Sequence, residues 1–516
     1  MSTVLILGFI AITAIGVPLF LLFGAASMLL FSSQDGGTIT SVAIDVFSEK
    51  FADSPTLVTI PLFTIAGYLM AEGGTPRRLI NLSRALLGWM PGGLAIVCLC
   101  TSAFFTTFTG GSGITIVAIG GLLMPALLQE RYPARFSLGL ITTAGSLGIM
   151  FPPALPLILY GIVANVLIDK LFLAGLIPGL LTVFALCAYA SLVGVRAKVE
   201  RVPFELRKAF AALWESKWEL GLPVVIIGGM ATGLLRVHEA SAFTGLYVLL
   251  IEAFVYREIS LSRDLPRIVR ESMTLVGAIL AILSTAIGFT GYLIQAQVPM
   301  HLLAAMEVFI TSKFMFLLVL NVFLLIAGMV MEIFAAIFVV VPLIVPIATH
   351  FGIDPYHLGI TFLVNLEIAY LAPPLGLNLI ISSFRFEQPV TTVYRAVLPF
   401  IGVLAITLAI TTYVPWLSTF LPSLSSTQDL TPEERGESPR TEPSDAPSDG
   451  PTLDDLDNEP TLDDLDKEPT LDDLDKEPTL DDLKLDEPAE APKEGAAEEP
   501  TLDDLKLDEP DSKASE

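Results

Sequence analysis

Long apolar runs separated by short polar segments recur along most of the chain. They fall at about 5–31, 57–70, 136–163, 171–195, 220–235, 240–256, 275–294, 360–382 and 397–417. A helix needs about 20 predominantly apolar residues to cross a bilayer, and most of these runs approach or exceed that length. Two further stretches, 92–128 and 314–349, are interrupted in the middle. Thr109-Gly110-Gly111-Ser112-Gly113 breaks the first, and Gly328-Met329-Val330-Met331-Glu332 breaks the second. Irregular backbone at membrane depth is tolerated only where protein or a protected cavity surrounds it. The pattern predicts an all-α polytopic membrane protein with two re-entrant hairpins and broken helices.

The pattern repeats. Pro125 and Pro346 lie 221 residues apart, as do Pro152-Pro153 and Pro373-Pro374, with Ile149-Met150-Phe151 and Tyr370-Leu371-Ala372 before them. Upstream, Gly67-Tyr68-Leu69 returns as Gly291-Tyr292-Leu293, and Pro76 as Pro299. An ordered series at nearly constant offset marks two structural repeats. The expected domains are 1–197 and 218–420, joined by a segment 198–217 and followed by a tail 421–516.

Basic loops orient the repeats. Arg196, Lys198, Arg201, Arg207, Lys208 and Lys217 place the inter-repeat segment in the cytoplasm. Arg257, Arg263, Arg267 and Arg270 follow two crossings later, on the same side. Arg77, Arg78, Arg84, Arg131 and Arg135 join them if the stretch 92–128 enters and leaves from the cytoplasm. The stretch 314–349 then enters and leaves from outside, flanked only by Lys313. The repeats are therefore expected to have inverted topology, an arrangement of secondary transporters that bind solute near the midplane between broken helices. Whether the first run crosses once or twice stays open, because Gly16-Val17-Pro18 is a possible turn.

Composition agrees with the membrane reading: 53% of the 516 residues are hydrophobic, 16% are charged, and mean hydropathy is +0.69. The net charge of −25 belongs elsewhere. Residues 429–516 hold 33 acidic and 8 basic residues, which leaves the membrane body neutral. This tail repeats Pro-Thr-Leu-Asp-Asp-Leu-Asp-Lys-Glu with period nine, and is expected to be disordered and outside the cytoplasm. It reads as a solvating spacer, with Leu-Asp-Asp-Leu as an alternative docking motif. No charged n-region precedes the first run, so a cleaved signal peptide is not expected. Cys98, Cys100 and Cys187 read as small buried hydrophobes.

Chemistry concentrates at the interruptions. Glycines free backbone carbonyls, hydroxyls add neutral oxygens, and a Pro pair deprives preceding carbonyls of helical donors. Candidate ion ligands are Thr109, Gly110, Gly111, Ser112, Ser146, Gly328, Glu332, Asn365 and Ala372. Candidate solute contacts are Thr107, Gly113, Pro152, Pro153, Pro373, Pro374 and Asn378. A kink or close helix packing would explain any one of these alone; their symmetric placement favours a site. Glu332 and Glu367 are intramembrane carboxylates, each readable as a cation ligand or as a hydrogen-bonded structural group. No phosphate-binding loop, His-Glu-x-x-His, CxxC pair or nucleophile elbow occurs, so neither ATP hydrolysis by a P-loop nor these enzyme chemistries are indicated, and no cofactor is expected.

Several motifs together resemble the large membrane subunit of tripartite ATP-independent periplasmic (TRAP) transporters. They are Ile60-Pro61-Leu62-Phe63, Ala66-Gly67-Tyr68-Leu69-Met70, Gly110-Gly111-Ser112-Gly113, Gly145-Ser146-Leu147-Gly148, Leu157-Ile158-Leu159-Tyr160-Gly161, and Asn365 ahead of Pro373-Pro374, Gly376 and Asn378. The resemblance covers about 1–420. It implies an elevator-type transporter driven by a Na⁺ gradient, importing an organic acid such as a dicarboxylate across a bacterial inner membrane. It also implies two partners, a small four-helix membrane subunit on a separate chain and a periplasmic binding protein, and no nucleic acid. The first hairpin carries fewer serines than many members, and the acidic tail is not a usual part of the family. A stand-alone anion carrier and an ion channel are the alternatives.

Overall fold

The computed structural model describes residues 17–32, 55–199, 203–232, 234–307, 309–310, 312–373 and 376–424. The start of the first apolar run, residue Pro374 and the tail from 425 lie outside the described residues. The described chain is helical throughout: α1 (Leu19–Ser32), α2 (Thr59–Glu72), α3 (Thr75–Leu87), α4 (Gly93–Thr109), α5 (Ser112–Gln129), α6 (Ala134–Ala144), α7 (Leu155–Ala164), α8 (Ile168–Arg196), α9 (Leu206–Glu215), α10 (Lys217–Ala231), α11 (Val237–Leu250), α12 (Asp264–Gln295), α13 (Val298–Glu307), α14 (Lys313–Val330), α15 (Ile333–His350), α16 (Pro355–Ala369), α17 (Leu377–Arg385), α18 (Val390–Tyr413) and α19 (Trp416–Leu424).

Among the described residues, seven helical segments are long and apolar enough to cross a membrane. Two further helix pairs pass together but are bent, by 71° between α2 and α3 and by 44° between α6 and α7. The apolar run at 136–163 is thus broken in the middle: α6 stops at Ala144, a 3₁₀ turn covers Leu147–Met150, and α7 resumes at Leu155. Large apolar side chains such as Phe184, Val224, Ile326 and Phe384 point outward. Such a surface needs lipid or a partner against it.

The helix order of the two halves recurs. The helices α4 to α8 are followed by α14 to α18, each starting 220–222 residues after its counterpart. Packing between the halves is reciprocal. The second limb of the first hairpin, α5, lies against α17, and the second limb of the other, α15, lies against α7. Likewise α6 packs on α18, and α16 on α8. The remaining helices pack around this body, with α1 against α12 and α2 against α11 and α12.

One ionic cluster ties α3 to the helices after the inter-repeat segment. Arg78 is buried, and its Nε pairs with Glu219. Its Nη2 meets Glu252 at 2.8 Å and its Nη1 meets Glu258 at 2.7 Å. The Tyr256 ring lies 3.6 Å from the guanidinium carbon, a cation–π stack. Gly73 and Gly74 make room for it, because a Cβ at either would run into the Glu252 or Glu258 carboxylate.

Candidate functional site

The first hairpin turns at Gly110. That residue has φ 63°, a left-handed conformation that glycine adopts without steric cost, and its amide donates to Thr106 O at 2.9 Å. Gly111 is extended, and α5 restarts at Ser112. Thr107, Thr109 and Ser112 are all buried. Thr106 Oγ1 lies 2.8 Å from Thr115 Oγ1 on the facing limb and 3.0 Å from Gly145 O. The Thr107 hydroxyl reaches Ala103 O at 2.8 Å and Gly148 O at 3.3 Å. Hydroxyls of the hairpin therefore dock on carbonyls of the first helix break.

That break holds Ser146, fully buried, whose hydroxyl donates to Thr143 O at 3.3 Å. Pro152 and Pro153, joined by a cis peptide bond, supply no amide donors before α7 begins. Gly148 sits so close to α4 that a Cβ would overlap Thr107 N and Ala103 O, both backbone atoms. Rigid atoms cannot swing away, so Gly148→Ala should undock the hairpin from the break. The expected result is loss of at least about 90% of uptake with the chain still inserted, compared by quantitative blotting; near-normal uptake would show that the docking tolerates a shift.

Asn378 links the two breaks: its backbone amide donates to Tyr370 O of the second at 3.3 Å, and its side chain reaches here. Its Nδ2 donates to Thr142 O at 3.3 Å, and Thr142 Oγ1 donates to Ser382 Oγ at 2.9 Å, which bridges α6 to α17. Gly113 faces Ile381 of the same helix. Asn378 Oδ1 and Thr143 Oγ1 are buried without hydrogen-bond partners among the described residues.

The second hairpin turns at Met331–Glu332. Glu332 caps α15, accepting from Phe334 N at 2.8 Å, and its other oxygen receives the Tyr370 hydroxyl at 3.3 Å. Tyr370 OH in turn accepts from Ile333 N at 3.1 Å, so the tip is tied to the end of α16. Gly328 lets α14 approach Leu366 and Ala369 closely. Asn365 is fully buried; its Nδ2 donates to Asn321 Oδ1 and to Thr361 O, both at 2.8 Å, while its Oδ1 has no partner. Beyond the helix end, Ala372 O accepts from Gly376 N at 3.1 Å. Pro373 is exposed. Glu367 is fully buried, and neither carboxylate oxygen is partnered.

Two constellations result. Thr107, Thr109, Gly110, Gly111, Ser112, Gly113, Ser146, Pro152, Pro153 and Asn378 gather around the first hairpin and break, and Gly328, Glu332, Asn365 and Ala372 around the second. Sequence reasoning passed over Thr142, Asn321 and Tyr370 as site residues, although a polar residue inside an apolar run is itself a signal. The donors are carbonyl, hydroxyl, amide and carboxylate oxygens, a set that matches hard cations. No group of three or more His, Cys, Asp or Glu is arranged to hold a metal ion among the described residues.

Residues 6–417 match the family model "Tripartite ATP-independent periplasmic transporter, DctM component". The chain is 36% identical over 408 residues to the isethionate TRAP transporter permease protein DctMQ of Oleidesulfovibrio alaskensis, covering 79% of this chain and 64% of that one. It is also 36% identical over 403 residues to the C4-dicarboxylate TRAP transporter large permease protein DctM of Pseudomonas aeruginosa, covering 78% and 93%. In fold it is similar to the crystal structure of the Alcanivorax borkumensis YdaH transporter, with a TM-score of 0.59 at 15% identity, covering 79% of this chain and 99% of that one.

Proposed function

This chain belongs to the DctM family of tripartite ATP-independent periplasmic transporters, and from that membership we propose that it couples Na⁺ entry to uptake of an organic acid anion. It is a multi-pass transporter permease and one component of a tripartite system. In the proposed assembly a periplasmic binding protein delivers the solute, and a small four-helix membrane subunit completes the membrane part in the inner membrane. The relatives' names carry isethionate and a C4-dicarboxylate, so a small carboxylate or sulfonate is the substrate class to test first.

The observation that carries the reading is the pair of hairpin turns, each seated at a helix break with buried, unpartnered oxygens of Asn378, Thr143 and Asn365 close by. Partnerless neutral oxygens at broken helices suit a desolvated monovalent cation, and helix ends nearby add their dipoles. The reciprocal packing of the halves fits inverted repeats, with α4–α8 and α14–α18 moving as a body against the remaining helices in an elevator cycle. The acidic tail then lies in the periplasm.

Uptake into proteoliposomes tests this. Vesicles containing this chain and its small subunit are offered labelled carboxylates, with and without an inward Na⁺ gradient and with and without binding protein. Uptake that needs both is expected. Uptake indifferent to the binding protein would point to a stand-alone carrier, and downhill flux indifferent to Na⁺ to a channel. Ser112→Ala, Ser146→Ala and Glu332→Gln should each raise the Na⁺ concentration for half-maximal uptake; no change in any of the three would remove the ion-site placement.

A further inference from the structure

A series of buried polar side chains leads along α16 to its break. His357, Thr361 and Asn365 stand four residues apart, so they share one face of the helix. All three are buried. The first half of the chain solves the same packing problem differently. At the 221-residue offset of the two breaks, α6 carries Phe136, Leu140 and Ala144, also buried. That helix packs on α4 as α16 packs on α14. Apolar side chains therefore suffice for this helix pair. An amide and an imidazole cost more to bury, and packing alone does not call for them.

The order of donors and acceptors along the series is fixed. The Thr361 carbonyl can only accept, so the end of the Asn365 amide that meets it at 2.8 Å is Nδ2. The second hydrogen of that nitrogen goes to Asn321 Oδ1 on α14, also at 2.8 Å. Asn321 must then present its own Nδ2 to the Thr412 hydroxyl on α18, 3.1 Å away. The Thr412 carbonyl accepts from His357 Nε2 at 3.1 Å, and His357 Nδ1 lies 2.7 Å from Ser418 Oγ on α19. Both hydrogens of the Asn365 amide are thus spent on the series. Its Oδ1 is the end left over, buried and without a partner among the described residues. A contact to its own helix alone would leave the amide free to swing. The contact from α14, the first limb of the second hairpin, removes that freedom.

We propose that Asn321, held by Thr412, is a positioning residue: it fixes the Asn365 amide so that Oδ1 stays turned to the coupling cation. This role rests on the ion site proposed above; Asn321 itself touches no ion. An oxygen aligned beforehand spares binding the cost of ordering its side chain. Loss of Asn321 therefore weakens Na⁺ binding without removing a ligand.

Thermal unfolding of the full-length chain, with NaCl replacing choline chloride at constant ionic strength, reads Na⁺ binding without a solute. Na⁺ should raise the midpoint of the unaltered chain, and Asn365→Ala should blunt the response. Asn321→Leu, of similar size, should raise the Na⁺ concentration for the half-maximal shift about fivefold, the scale of one hydrogen bond between neutral groups. Thr412→Val acts one step further away and should raise it about twofold; it carries the test if Asn321→Leu does not fold. Beside Asn365→Ala, either variant should add nothing to the Na⁺ response, because its effect passes through that amide. His357→Gln is the control for loosening of the same helices: it should lower the midpoint in choline and leave the Na⁺ dependence alone. In uptake, Asn321→Leu should raise the half-saturating Na⁺ concentration and keep the rate at saturation. A Na⁺ response equal to that of the unaltered chain in both Asn321→Leu and Thr412→Val overturns the positioning role and leaves the ion site standing. So does a shift that His357→Gln reproduces, or one that persists beside Asn365→Ala. A midpoint indifferent to Na⁺ in the unaltered chain, or a response that Asn365→Ala does not alter, overturns the ion site and the positioning role with it.

Discussion

Arg78→Gln should unfold or strongly destabilise the membrane body, by about 3–5 kcal/mol, the usual cost of removing one partner from a buried ion pair. The cost comes less from the lost attraction than from what remains. Glu219 and Glu252 are both buried, and each would be left without a counter-ion, to stay charged at high cost or to take up a proton. Glu258 is 40% exposed at its side chain and would recover some hydration, so it adds less. Three pairings use three different guanidinium nitrogens. A lysine ammonium cannot reproduce that planar fork, so Arg78→Lys should recover only part of the loss. Arg84→Gln provides the contrast. Arg84 meets Glu130 at 3.0 Å with half its own side chain exposed, and an exposed pair contributes about 0–1 kcal/mol. Fluorescence-detected size exclusion after heating measures all three variants. An Arg78→Gln midpoint equal to that of Arg84→Gln would show that the cluster does not hold α3 in place.

The spans and their interruptions were legible because both are written in local composition. The hairpin tips at Gly110 and Met331–Glu332 fall where the glycine-rich and charged breaks predict them, since a Cβ-less or capping residue is what a helix end in an apolar run requires. The constant offset of the two halves was legible for the same reason. Contacts between elements distant in sequence were not. Asn378 reads as a neighbour of the second Pro-Pro break, and its backbone amide is bonded there to Tyr370 O, yet the reciprocal packing of α17 on α5 and α6 also delivers its side chain to the first. The Arg78 cluster draws on residues more than 140 positions away, and in the sequence Arg78 reads only as one more positive charge in a cytoplasmic loop. Glu332 was legible as an intramembrane carboxylate and caps α15 locally, but the Tyr370 hydroxyl on its other oxygen arrives from another helix.

Asn378→Ala separates a ligand from a structural amide, and it should raise the Na⁺ concentration for half-maximal uptake at least about tenfold, equivalent to about 1.4 kcal/mol of ion affinity. The side chain is fully buried. One end works structurally, since Nδ2 donates to Thr142 O, but the contact is long at 3.3 Å. The other end, Oδ1, has no partner, and Thr143 Oγ1 on the facing helix has none either. A buried acceptor without a hydrogen bond costs about 1–3 kcal/mol, so a chain selected for stability alone has little reason to keep it. Alanine removes the orphan oxygen and a weak bond together. Stability should therefore change by less than about 1 kcal/mol while Na⁺ dependence shifts, because the two effects have different origins. A structural amide gives the opposite pattern: a lowered unfolding midpoint with an unaltered Na⁺ curve. Asn378→Asp adds a third reading. A carboxylate facing a bound cation should tighten Na⁺ binding and slow release, whereas one facing only Thr142 and Thr143 places an uncompensated charge in the membrane body and should destabilise it. Uptake measured against Na⁺ concentration, with the unfolding midpoint of each variant alongside, tells the two apart.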